Sequence, residues 1–193
     1  RDFDDFLAGF TADKRKKLKR ERRYVQEAGI SMQARAGPDV TPELWDLFYD
    51  FYTGNIQRHG GMIHLTREFF QLLGRSLPEA LVLVLARRGT EVVGAAINLR
   101  DQHALYGRYW GGREGFNSLH FEACYYTPIE YCIAQGLTPR AYRAFDFSGM
   151  EFAGNGVVAA GDRMPGPGET FAGREGRKAD SAKDLGLDDL LHG

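Results

Sequence analysis

Little in this sequence points to redox chemistry, a metal centre or a membrane span. It holds two cysteines, Cys124 and Cys132, eight residues apart. On one helix that separation is about 12 Å, at about 1.5 Å of rise per residue, which is too far for a disulfide. Nothing in the cysteine usage asks for an oxidising compartment. The pair lacks zinc spacing, as do His59 and His64 around their turn, so no metal is expected. No apolar run approaches the roughly 18 residues of a transmembrane helix, and no signal-peptide pattern is present. The expected location is therefore the cytoplasm. A net charge of −1 gives no global field to attract nucleic acid or a membrane surface.

What is present suffices for one domain with a sizeable core within 193 residues. The centre is the stretch from Ala80 to Gly136. Three apolar runs, Ala80–Ala86, Val92–Leu99 and Ala104–Trp110, are separated by breaks short enough for antiparallel turns, with Gly89 supplying positive φ in the first. Gly111-Gly112 closes the third run. Ser118 then stands where a helix to Ile133 would be capped, with Gly136 past its end and Pro128 predicting a kink near Tyr125–Tyr126.

Upstream, Phe3, Phe6, Leu7 and Phe10 recur at helical spacing. Thr11 opens a second helix carrying KRKKLKRERR from Lys14 to Arg23, with Leu18 and Val25 as a narrow apolar stripe and Glu21 as the one acid. Such a face cannot neutralise itself through i,i+4 pairs. It reads either as a solvated face or as a surface for an anionic partner, with Lys16, Lys17 and Arg20 as contacts. A strand at Ile30–Ala34 follows. Thr41-Pro42-Glu43 starts a helix to about Arg58, and Thr66 starts a shorter one that Gly74 is expected to end. With a final strand at Tyr142–Phe147, this order predicts a mixed α/β (α+β) fold. The chain opens with Arg1 inside an amphipathic pattern, so a longer parent protein is expected. From Gly149 onward the Gly- and Pro-rich text has no sustained period and is expected to form a disordered tail, 149–193, behind a domain at 1–148.

The basic run, WDLFYDFY, HGG, LTREFF, and above all LYGRYWG with LHFEACYY, resemble a peptidoglycan biosynthesis/recognition family. Its members are GNAT-like N-acetyltransferases, similar in layout to FemAB-type aminoacyltransferases. The resemblance runs from Arg1 to about Leu137. It implies a GNAT-like fold, as the C-terminal unit of a longer protein, and acyl or aminoacyl transfer to an amine, possible substrates including a small molecule or a cell-wall precursor. The implied donor is acetyl-CoA or an aminoacyl-tRNA. The GNAT pyrophosphate loop, Arg/Gln-x-x-Gly-x-Gly/Ala, has no copy here, and after Leu137 the text RAYRAFDFSGM departs from the family pattern.

Acyl transfer needs a base for the amine, donors for the oxyanion and a seat for the donor's phosphates. Tyr106, Arg108 and Trp110 alternate onto one face of the third run, with Tyr109 opposite, and His120 and Glu122 begin the next helix. Glu122 is read as the base with His120 as runner-up, Tyr106 as general acid, and Arg108, Tyr109 and Trp110 as substrate contacts. Tyr and Trp on a strand are equally read as plain core, and Glu122 as a reply to the helix dipole. Cys124 reads as a small buried hydrophobe rather than a nucleophile. The alternative to a transferase is a non-catalytic binding module that recognises an anionic glycan, lipid carrier, tRNA or other nucleic acid through Lys14–Arg23.

Overall fold

The computed structural model describes residues 2–137, 142–144, 150–153 and 156–159. Helices α1 (Phe3–Ala8) and α2 (Ala12–Glu27) lead into strand β1 (Ile30–Ala36). Helices α3 (Pro42–Arg58) and α4 (Arg67–Ser76) follow, then strands β2 (Leu81–Arg88), β3 (Glu91–Arg100) and β4 (Leu105–Gly112). The long helix α5 has three stretches: Leu119–Phe121, a π-helical Glu122–Tyr126, and Thr127–Ala134. Strand β5 (Tyr142–Ala144) completes one sheet in the order β1-β2-β3-β4-β5, antiparallel until β5 joins β4 in parallel. The mixed α+β fold expected from the sequence is what forms.

The sheet is a middle layer. Leu81, Leu83, Leu85, Ala95 and Ile97 pack on one face against Trp45, Phe48, Tyr52 and Ile56 of α3 and Phe70 of α4. Val82, Val84, Ala86 and Ala96 face α1, α2 and α5 through Leu7, Leu18, Val25, Leu119, Ala123 and Ile129. Burial on both faces is why β2 reads as an unbroken apolar run instead of alternating.

Two local expectations need correction. Gly74 lies inside α4 rather than ending it: a Cβ there would stand 2.3 Å from Trp45 Nε1, so close packing on α3 selects the glycine. Ser118 occupies the N-cap position of α5, but in a left-handed conformation (φ 63°), and its hydroxyl donates to Asn117 Oδ1 instead of capping. At the expected kink near Tyr125–Tyr126, Pro128 follows a π-helical stretch, Glu122–Tyr126. It has no N–H to give the Cys124 carbonyl four residues back. That carbonyl accepts instead from the Tyr142 hydroxyl of β5.

Of the expected last strand, Tyr142–Ala144 is described, and Phe145–Phe147 lie outside the described residues. Within the expected tail, Met150–Ala153 and Gly156–Ala159 pair as an antiparallel hairpin, β6 and β7. The rest of that segment lies outside the described residues.

Candidate functional site

The site begins with a break in the β3–β4 ladder. Ile97 pairs with Tyr109 and Asn98 with Gly107, so Arg108 is an inserted bulge residue. The bulge overturns the alternation expected from sequence. Leu105 faces α5, which puts Tyr106 on the other side, while Trp110 packs towards α5 and Tyr109 towards α3. Tyr106 and Trp110 therefore lie on opposite faces.

Over its described residues β5 accompanies β4 only along Leu105–Gly107. Past the bulge a cavity of about 370 Å³ wraps the β4 edge and reaches both faces of the sheet. Tyr52, Asn55, Arg58 and His59 line it from α3, and Leu119, His120, Phe121 and Cys124 from α5. Ala96, Asn98, Gly107, Arg108, Tyr109, Trp110 and Tyr142 form the sheet wall. Gly111 permits the approach of α3, because a Cβ there would fall 2.1 Å from the Phe51 carbonyl oxygen. Ser118, the one non-glycine residue with positive φ among the described residues, also lines the cavity. A left-handed conformation of this kind costs about 1–3 kcal/mol and collects at functional sites.

His120 is half-buried, with its ring 5.4 Å from that of Trp110 and 5.9 Å from that of Tyr125. The Arg108 guanidinium lies over the Tyr109 ring at 4.9 Å. Arg58 donates to the Gly112 carbonyl at 2.9 Å and pairs with Glu114 at 3.4 Å. Arg113, which pairs with Glu91, lines the cavity as well, so Arg58 and Arg113 both reach it already paired with carboxylates. Of the residues read from sequence, Arg108, Tyr109, Trp110 and His120 come together here.

Tyr106 and Glu122 do not. The Tyr106 hydroxyl donates to Asp101 Oδ2 at 3.1 Å, while Asp101 Oδ1 accepts from the His103 and Ala104 amides at 2.7 Å each. Those amides, with Tyr106 assisting, hold the Asp101 carboxyl below its ordinary value. Tyr106 thus braces the β3–β4 turn.

Glu122 points away from the cavity, into the interface with α2, and is 3% exposed. Its carboxylate accepts two bonds from Arg22, at 3.1 and 3.0 Å, and one from Thr127 at 3.3 Å. Arg22 also grips Glu130 with two bonds of 2.8 Å and lies over the Phe3 ring at 4.5 Å. Burial pushes the Glu122 carboxyl above its ordinary value, and Arg22 counters this without cancelling it. Burial also opposes the Arg22 charge, but Glu130 and Glu122 outweigh it and raise the guanidinium further. Beside this cluster the Tyr126 hydroxyl donates to Glu21; burial first and that carboxylate second raise its pKa. Glu122 therefore ties α2 to the π-helical stretch that carries Cys124.

Sequence reasoning missed Arg22, hidden in the basic run although it adjoins the Leu18–Val25 stripe. It also missed Asn98, the lone polar side chain in the apolar AAINL text of β3. Lys16 and Arg20 are exposed and Lys17 half-buried; none lines the cavity, and none has an ion-pair partner among the described residues.

Among the described residues no helix is long and apolar enough to cross a membrane, and no group of three or more His, Cys, Asp or Glu side chains could hold a metal ion. No curated protein matches the chain. A family model described as peptidoglycan biosynthesis/recognition, FemAB-like, matches residues 1–141. The match takes in every helix among the described residues, both walls of the cavity except Tyr142, and the Arg22–Glu122 pair. The chain belongs to the FemAB-like peptidoglycan biosynthesis/recognition family.

Proposed function

We propose that this chain transfers an acyl or aminoacyl group to an amine of a peptidoglycan precursor, in the cavity beside the β4 bulge. The observation that carries this reading is the cavity itself. A strand edge, a half-buried imidazole and three arginines meet in one space of about 370 Å³, within a chain of this family.

The neutral amine nitrogen attacks the acyl carbonyl carbon. An N–C bond forms, and the bond to the donor's leaving sulfur or oxygen breaks as the tetrahedral intermediate collapses. His120 takes the proton released by the amine and returns it to the leaving group. It replaces Glu122 in that role because it faces the cavity and Glu122 does not. Holding amine and carbonyl in one walled space supplies orientation. The phosphates of a donor, which acetyl-CoA and aminoacyl-tRNA both bear, would exchange with Glu114 and Glu91 for Arg58 and Arg113. The reaction needs no covalent enzyme intermediate.

The test is transfer of a radiolabelled acyl group from each donor to an amine-bearing precursor, comparing wild type with His120→Ala. Loss of a general base should lower turnover by roughly 10²- to 10⁴-fold. Transfer undiminished in His120→Ala sinks the assignment. A second reading, a module that binds a polyanion such as tRNA or an anionic lipid surface, is favoured by Lys16, Lys17 and Arg20, whose charges have no ion-pair partner among the described residues.

A further inference from the structure

Asn98 carries an unanswered acceptor. The residue is 1% exposed and lines the cavity from β3. Its Nδ2 donates to the Val82 carbonyl at 3.3 Å and the Ala96 carbonyl at 3.4 Å. Those two carbonyls fix the orientation of the amide, since the flipped form would set Oδ1 against both. Oδ1 has no hydrogen-bond partner among the described residues. An unpaired buried oxygen destabilises the free protein.

The surroundings show where a partner could come from. Asn98 pairs with Gly107 at the bulge, and a Cβ on Gly107 would stand 3.5 Å from Oδ1 and 2.5 Å from the Tyr142 hydroxyl. The Tyr142 hydroxyl takes up that space beside Oδ1, and Asn98, Gly107, Tyr142 and Cys124 all line the cavity.

We infer that Asn98 is a specificity-determining residue whose Oδ1 accepts a hydrogen bond from an N–H group of the bound ligand. This rests on reading the cavity as the ligand site. The shared chemistry is an N–H donor, borne either by a secondary amide in the arm of an acyl donor or by the amine of the acceptor. A ligand without that N–H leaves the oxygen buried and unpaired, which is how such sites discriminate.

The experiment uses the full chain and two matched probe pairs. N-butylacetamide is compared with butyl acetate, and butylammonium with butyltrimethylammonium, each titrated by ligand-observed NMR. Wild type should prefer the N–H member of one pair by about tenfold, and Asn98→Leu should erase that preference. The pair that shows the preference identifies the source of the N–H. In wild type alone, the Asn98 side-chain amide signals should shift with the preferred probe and not with its mate, which keeps the test valid if the variant fails to fold. Equal binding within both pairs, or a preference that survives in Asn98→Leu, overturns the inference. If the chain transfers no acyl group and the preference is still found, the transferase reading falls and this one stands. If transfer proceeds in wild type while neither pair is discriminated, this inference falls alone.

Discussion

Replacing Arg22 by Met should expose what holds α5 in place. Arg22 supplies both nitrogen contacts to Glu122 and both to Glu130. Its side chain is 20% exposed and that of Glu122 4%, so solvent screens this pair little. Glu130, at 42%, can turn to water and contributes less. Without Arg22, Glu122 remains a buried carboxylate whose one remaining hydrogen-bond partner among the described residues is Thr127. Removing one partner of a buried pair costs about 3–5 kcal/mol. For a chain of this size that is a fall in Tm of roughly 6–20 °C.

The loss should depend on pH, with a definite sign. Burial already raises the folded-state pKa of Glu122 in the wild type, and losing Arg22 raises it further. A raised pKa means that the folded state binds more protons than the unfolded one. Stability is then full below the ordinary carboxylate value and lost as pH rises through the folded value. Thermal unfolding of Arg22→Met followed by circular dichroism should approach wild type near pH 4.5 and diverge from it by pH 8. Adding Glu122→Gln should restore much of the loss at pH 8, because no charge is then stranded. A variant as stable as wild type at pH 8, or a deficit that is the same at both pH values, would refute the reasoning.

Other outcomes follow from the same packing. Phe70→Ala empties the aromatic cluster beneath α4, where Phe48 and Tyr52 lie 5.1 and 5.2 Å from its ring, and should cost about 3–5 kcal/mol in urea unfolding. Gly111→Ala forces a methyl against the Phe51 carbonyl, so α3 and β4 must separate, and a loss of about 1–3 kcal/mol is expected from the same measurement. Replacing Lys16, Lys17 and Arg20 together by Glu should abolish any salt-sensitive binding of tRNA or anionic vesicles while leaving the melting curve unchanged. Binding that persists in that variant would place the contact elsewhere.

The elements were legible because their signals are local. Pro42 after Thr41, the apolar run of β2 and Gly89 at a φ of 60° each announce a structure that forms from neighbouring residues. The cavity was half legible. Trp110 and His120 meet because a strand feeds a helix, a relation readable from order along the chain. The bulge at Arg108 was not readable, since it depends on how β4 registers against β3, and it sends Tyr106 to the opposite face. Glu122 failed for a different reason. One turn of helix carries His120 and Glu122 to different sides, and the choice of which faces the sheet edge is made by Arg22, 100 residues earlier in the chain. The ion pair could have been suspected from Arg22 beside Leu18 and Val25, but the surrounding basic run masked it.

Cys124 offers the most direct test that transfer occurs in the cavity beside β4. It lines that cavity half-buried, whereas Cys132 is buried in the core with its thiol pushed up to about 11 by desolvation, and serves as an internal control. The measurement is the rate of iodoacetamide alkylation at each cysteine, read by peptide mass spectrometry with and without the acyl donor and the amine-bearing precursor. The account predicts that a bound substrate slows alkylation of Cys124 and leaves Cys132 unchanged, and that alkylated protein loses turnover in step with Cys124 modification. Turnover that continues with Cys124 fully alkylated, or substrates that bind without protecting it, would contradict the account.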